Sequence, residues 1–269
     1  MIIALGFILP GISGGVLAAI LGIYERMLSF MAHLTRNFKE NILFFLPVGI
    51  GGILGIGLLS RPLEFLLEHY QVIVLWGFAG AIIGTFPSLI KESTKKSQRD
   101  RLDIIWFVAT AIIGGLFLYF LPQLFGTLPA NFASFILAGA LIALGVLVPG
   151  LSPSNLLLIL GLYSPMLNGF KSFDITGVFL PIAIGGMAAM LIFSKTMEYL
   201  LEAQYSRVYH FILGLVIAST VLILIPNQSA AESISYTDVT GITIVLSVIF
   251  CLLGIFLGSW MSRLEEKYK

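Results

Sequence analysis

Charge is the scarcest thing in this chain. Only 11% of its 269 residues are Asp, Glu, Lys or Arg, where a soluble globular domain carries roughly 25%. That shortage excludes an ordinary soluble domain. Cysteine is limited to Cys251, which lies inside an apolar stretch, so neither a disulfide framework nor a zinc cluster can be built and the residue reads as a small packing group. The three histidines, His33, His69 and His210, are scattered, and none sits at metal-ligand spacing. No HExxH helix, Gly-x-Ser-x-Gly elbow or P-loop is found, which removes the common hydrolase and nucleotide-binding chemistries. No basic segment precedes the first apolar stretch, so no cleavable signal is read. Metal, cofactor and nucleic acid are not expected.

What the chain has is apolar length. Hydrophobic residues make up 58% of it, and its mean hydropathy is +1.01. Apolar stretches of about 17 to 23 residues recur throughout, enough to cross a hydrocarbon core of roughly 30 Å as helix. Stretches that long do not alternate as the strands of a membrane barrel would. The fold class read from this is an all-α polytopic membrane protein. Its 28 glycines suit membrane helices, where small residues let backbones approach.

The chain also says one thing twice. Pro10-Gly11-Ile12-Ser13, followed by Ile20-Leu21-Gly22-Ile23-Tyr24, returns as Pro149-Gly150-Leu151-Ser152, followed by Ile159-Leu160-Gly161-Leu162-Tyr163. Leu46-Pro47 with Gly51-Gly52 returns as Leu180-Pro181 with Gly185-Gly186, and Ser60-Arg61 with Glu64 as Ser194-Lys195 with Glu198. A duplicated helix-breaking motif in apolar sequence is the mark of transporters built from two repeats with discontinuous helices. The first repeat is predicted at 1–121, with a broken or re-entrant hairpin over 1–24 and spans at 42–60, 72–90 and 104–121. The second is predicted at 132–262, with a hairpin over 132–170 (arms 132–148 and 154–170) and spans at 178–197, 208–226 and 240–262. The two pack as one membrane domain. Met1 aligns with Ala140, so the first arm starts later in its copy than the second does.

Lys and Arg bias sets the orientation. With the basic loop 91–103 placed in the cytoplasm, every Lys and Arg except Arg61 and Lys171 falls on that side. Both termini are then cytoplasmic. A hairpin adds no net crossing and three spans follow it, so each repeat crosses an odd number of times. The two repeats therefore enter from opposite faces, an inverted pair with its site near the midplane.

Three sets of residues could carry chemistry. At the tips, Pro ends one arm and the freed N–H groups of Ser13, Gly14 and Gly15 point along the positive end of the next helix, a ready anion site. Ser152, Ser154 and Asn155 add side-chain donors in the second copy, while Pro153 removes a backbone one. A capped turn closing a hairpin is the plainer reading of one such tip; two Ser-bearing copies argue against it. The second set is Arg61 with Glu64 and Lys195 with Glu198, each pair on one helix face. Such charges commonly snorkel, but the apolar sequence continues beyond them, and ionisable groups held inside a membrane mark ion, proton or substrate paths. Glu25 and Arg26 form the third set, about 20 Å of helix from Ser13, where greeting a lipid phosphate at the interface suits them better than a central role.

PGISGG with LGIYER, then PGLS with LGLYSP and the repeated S-[RK]-x-x-E segment, closely resembles the PopT-type polyprenyl-phosphate translocases of bacteria, over nearly all of the chain. The second tip departs from the pattern, with Pro153-Ser154 and Ser164 where Gly-Ser and Glu are expected. The resemblance implies a flippase of the bacterial cytoplasmic membrane that returns undecaprenyl phosphate, the cell-wall lipid carrier, to the cytoplasmic leaflet by alternating access. It implies a phosphate site of Ser13, Gly14, Gly15 and Ser152, supported by Arg61, Glu64, Lys195 and Glu198. Arg61 and Lys195 would neutralise the headgroup, and Glu64 or Glu198 would couple to protons or another ion. Besides that lipid, the expected partners are membrane lipids and a second copy in a homo-oligomer. The rival is a membrane phosphatase acting on the same lipid class, which would need a nucleophile and an acid/base near the phosphate. A channel or a scaffold for cell-wall enzymes would need no anion-binding tips.

Overall fold

In lipid each backbone polar group must find its partner within the segment, and the described residues are helical, with no strand among them. The computed structural model describes residues 26, 30, 37–95, 98–125, 128–147, 153–227 and 233–268. Helix α1, Phe38–Ser93, has 56 residues, about 84 Å of helix where a crossing needs roughly 30 Å. It is two arms that meet at Tyr70, whose φ of −134° and ψ of 35° leave the helical region. The polar stretch around Arg61 and Glu64, which the sequence leaves between spans, is helical and extends the first arm.

Helix α2, Arg101–Ala109, starts at a reciprocal cap in which Asp100 accepts from the Asp103 N–H at 2.8 Å and Asp103 accepts from the Asp100 N–H at 3.0 Å. It continues through a π-turn, Thr110–Gly114, into α3, Gly115–Phe125. Helix α4, Phe132–Leu147, is described over 16 residues. The expected arm over 154–170 is instead two helices, α5 (Pro153–Ile159) and α6 (Tyr163–Lys171). They part at Gly161, whose φ of 71° is open at little cost only to glycine. A second π-turn, Ile175–Phe179, leads into α7, Leu180–Ala203, followed by α8, Tyr205–Leu222, and α9, Gly241–Tyr268. Among the described residues five helices are long and apolar enough to cross a membrane, α1 counted as one. Asn37 and Phe173, both with φ of 51°, precede α1 and the π-turn–α7 segment, so both copies approach their duplicated Leu-Pro helix through a left-handed residue.

Small residues set the packing. The second arm of α1 runs parallel to α9: a Cβ on Gly77 would meet Phe250, one on Gly80 the Cys251 carbonyl, and one on Gly84 the Ile255 carbonyl, while Ser259 donates to Gly84 O at 3.2 Å. Helix α8 runs parallel to α2–α3, with Ser206 beside Asp103, Gly214 against Phe107 and Thr110, and Ala218 against Gly115. Each repeat's middle span thus packs on the other's last. Helix α4 crosses α7 in the opposite sense, where a Cβ on Gly139 would meet the Ile182 carbonyl and one on Gly185 the Ile136 carbonyl. Around α5 and α6, Leu157, Leu162, Tyr163, Met166 and Leu167 are fully buried and pack with Leu75 and Phe78 of α1.

Candidate functional site

Helix α6 is where the buried core meets an open cleft. Tyr163, Met166, Leu167 and Phe170 turn inward, leaving Asn168 and Lys171 outward or half-buried. Lys171 occupies the last turn, where the helix dipole favours a cation. Ser172 closes that end by donating to Asn168 O at 2.9 Å. Phe173 then reverses the chain, and Asp174 accepts from the Gly177 N–H at 2.8 Å to open the π-turn.

Held between those two caps, Lys171 reaches the first arm of α1, and its Nζ lies 2.7 Å from Glu64 Oε2. The Glu64 side chain is 6% exposed and that of Lys171 43%. An unpaired carboxylate buried there would be costly, and the lysine offsets it. Arg61, nearly one turn before Glu64, is exposed. Together Arg61, Lys171, Asn168, Ser172 and Asp174 line a cleft of about 490 Å³, walled by Phe135, Pro165 and Val178. Two cations and two short polar side chains outnumber the single carboxylate of Asp174 around this space, a lining that suits an anion such as a phosphate monoester.

The residues singled out from the sequence fare differently. Arg61 lines this cleft, while Glu64 is buried behind it and paired with Lys171. Ser13, Gly14, Gly15, Ser152 and Glu25 lie outside the described residues. Ser154, expected as a donor at the tip, is 1% exposed and engaged within the protein. Asn155, Lys195 and Glu198 lie on α5 and α7, but their side chains are outside the described ones. Arg26 is taken up at the start of α1: it donates to Asn41 Oδ1 at 3.0 Å, pairs with Glu40 at 3.1 Å and stacks 3.9 Å from the Phe44 ring centroid. Lys171 was legible only as one of the two basic residues on the sparse side.

A second polar cluster sits at the other end of α2 and α8. Ser206 Oγ donates to Asp103 Oδ2 at 2.6 Å, and Arg99 Nε donates to His210 Nε2 at 3.1 Å. His210 Nε2 is therefore the acceptor, and Nδ1 carries the proton it gives to Ser206 O at 2.8 Å. Tyr205 adds a bond to Glu92 at 2.8 Å. Asp103 and His210 are each 2% exposed, and the cluster ties the second arm of α1 to α2 and α8. Histidine spacing alone gave no sign of it.

Among curated proteins, the chain is 25% identical over 227 residues to a polyprenyl-phosphate transporter of Vibrio cholerae serotype O1, covering 79% of this chain and 71% of that one. It is 28% identical over 224 residues to a polyprenyl-phosphate transporter of Staphylococcus aureus, covering 79% of each. No solved structure is significantly similar. The family model described as undecaprenyl phosphate translocase-like (VCA0040-like) matches residues 3–241, which takes in both Pro-Gly motifs, the residues lining the cleft and the pairing of α2–α3 with α8, and stops at the first residue of α9. By that match the chain belongs to the undecaprenyl phosphate translocase-like family.

Proposed function

We propose that this protein carries a polyprenyl phosphate, undecaprenyl phosphate in the bacterial cytoplasmic membrane, from the outer to the cytoplasmic leaflet. The observation that carries the reading is the convergence of Arg61 and Lys171 on one cleft beside the second hairpin, in a chain with so few charges to spend. The phosphate, with a charge of about −1.5 to −2, is held there while the prenyl tail stays in lipid. Ser13, Gly14, Gly15 and Ser152 receive it nearer the midplane, with Lys195 as the second copy's cation and Glu64 and Glu198 as candidate proton carriers.

Inversion of the repeats has support in the helix pairs. The connection from α1 to α2 spans only 94–100, and neighbours joined so briefly run antiparallel. The second arm of α1 runs with α9, and α2–α3 runs with α8. It follows that α8 opposes the second arm of α1, and α9 opposes α2–α3: the repeats point opposite ways. The presence of both hairpin ends, Ala130 and Lys171, along one cleft supports a re-entrant hairpin. Rocking one repeat against the other then exposes the site to each side in turn.

A phosphatase needs a free nucleophile beside the phosphate, and the carboxylates behind and at this cleft are engaged, Glu64 by Lys171 and Asp174 by Gly177. The test is leaflet-resolved transport of a fluorescent prenyl phosphate in proteoliposomes, with free phosphate assayed in parallel. Transport without phosphate release is expected; release would make the protein an enzyme.

A further inference from the structure

The cleft's ion pair is sealed on its acidic side and open on its basic side. Glu64 is 6% exposed and Lys171 43%, and the Lys171 ammonium shares the cleft with Arg61, for which no carboxylate partner is found among the described residues. Partial exposure spares the ammonium part of its desolvation cost, and here it also leaves the charge facing the cleft beside a second cation. An ammonium has three N–H donors in a compact head, so Lys171 can turn one or more of them from Glu64 to an anion arriving in the cleft. Asp174 also lines the cleft, but its Oδ1 is held by the Gly177 N–H at 2.8 Å, and among the described residues it forms no ion pair with Lys171 or Arg61. Transport adds a second constraint. A site must bind strongly enough to load and weakly enough to unload, and a dianionic phosphate between two uncontested cations would stay.

Given the lipid-phosphate reading above, on which this rests, the geometry points to Lys171 as a second headgroup-binding cation and to Glu64 as the internal anion that competes for it and lets the lipid leave. The ligand chemistry is a phosphate monoester at the end of a prenyl chain. Removing the competing charge then tightens binding and slows turnover. A merely positioning Glu64 predicts the reverse, because losing it would let Lys171 drift and weaken binding.

The full chain in nanodiscs, wild type and variant, is titrated with a prenyl phosphate, the matching prenyl alcohol and inorganic phosphate, and flipping is timed in proteoliposomes. In Glu64→Gln the Kd for prenyl phosphate should fall about twofold to fivefold, the scale of one ion pair with an accessible partner, while turnover at saturating lipid drops. Glu64→Gln/Lys171→Gln should lose that gain. Unchanged or weaker binding in Glu64→Gln overturns the assignment, as does a double variant that keeps the gain. Inorganic phosphate that binds and tightens equally makes this a free-phosphate site and overturns the lipid assignment. Should Glu64→Gln fail to fold, Lys171→Arg must retain affinity and Lys171→Gln must lose it; equal binding by those two overturns it as well. A wild-type protein that binds no prenyl phosphate overturns the transport reading itself and the role of Lys171 with it. Normal wild-type binding with an unresponsive Glu64→Gln removes only Lys171 and Glu64 from the exchange.

Discussion

Gly49 and Gly185 belong to the two copies of one Leu-Pro segment, yet an added methyl group should have opposite effects at them. At Gly49 a Cβ meets nothing within 4 Å among the described residues, and the matching residue in the second copy is already Ala183. Alanine is favoured over glycine inside a helix by up to about 1 kcal/mol, so Gly49→Ala should be neutral or stabilising by that amount. At Gly185 the same atom falls on the Ile136 carbonyl, a backbone group that cannot swing aside. Helices α4 and α7 must part, and the neighbouring approach of Gly139 to the Ile182 carbonyl is lost with it. Overpacking of this kind costs about 1–3 kcal/mol, and each surrendered Cα–H···O contact about 0.5–1 kcal/mol. After the gain in helix propensity, Gly185→Ala should be destabilised by about 1–4 kcal/mol. Thermal melting in one detergent, checked by reversible unfolding in bicelles, reads the difference. Transport should fall in Gly185→Ala, because α4 carries the hairpin whose far end presents Lys171. Equal melting of the two variants would refute the claim that backbone contact holds this crossing.

Arg61→Gln and Lys195→Gln should each raise the apparent Kd for prenyl phosphate and leave prenyl alcohol alone; a folded double variant that still prefers phosphate would leave the anion to the tips. Asp103→Ala removes the acceptor shared by Ser206 and the Asp100 N–H, and should destabilise by about 1–3 kcal/mol, seen as a lower melting temperature with substrate selectivity intact. After replacement of Cys251 by alanine, labels at Gln98→Cys and Lys267→Cys should react only from the cytoplasmic side. Labels at Leu128→Cys and Ser235→Cys should react only from outside, and shared sidedness of 98 and 128 would end the inverted-repeat proposal.

Helical class and membrane residence were plain from composition, because apolar length needs no knowledge of partners. The duplicated Arg61–Glu64 segment was legible for the same reason: it is a local pattern. What stayed hidden depends on which face turns inward, and helices apolar all round do not declare one. Lys171 belongs to no duplicated motif; its place in the first copy falls on Asn37, so repetition, the strongest signal in the chain, was silent about it. The break at Gly161 was written in a repeated Leu-Gly-[Ile/Leu]-Tyr, but a lone glycine in apolar sequence reads as packing until its φ is known. The Arg99–His210–Ser206–Asp103 cluster joins residues of two distant helices, a pairing that spacing along one chain does not encode.

The exchange of partners between repeats has a consequence for how the molecule is made. The glycine face of the second arm of α1 leaves the ribosome long before α9 does: at about 5–20 residues per second, the stretch from Gly80 to Gly254 takes roughly 10–35 s to synthesise. During that interval Gly77, Gly80 and Gly84 line a groove filled by lipid, an insertase or another nascent helix. Neither half can complete its own core, so the chain acquires its final form only when the last span is threaded in. Two halves produced as separate polypeptides, cut within the uncharged loop before α4, should need each other to escape proteolysis.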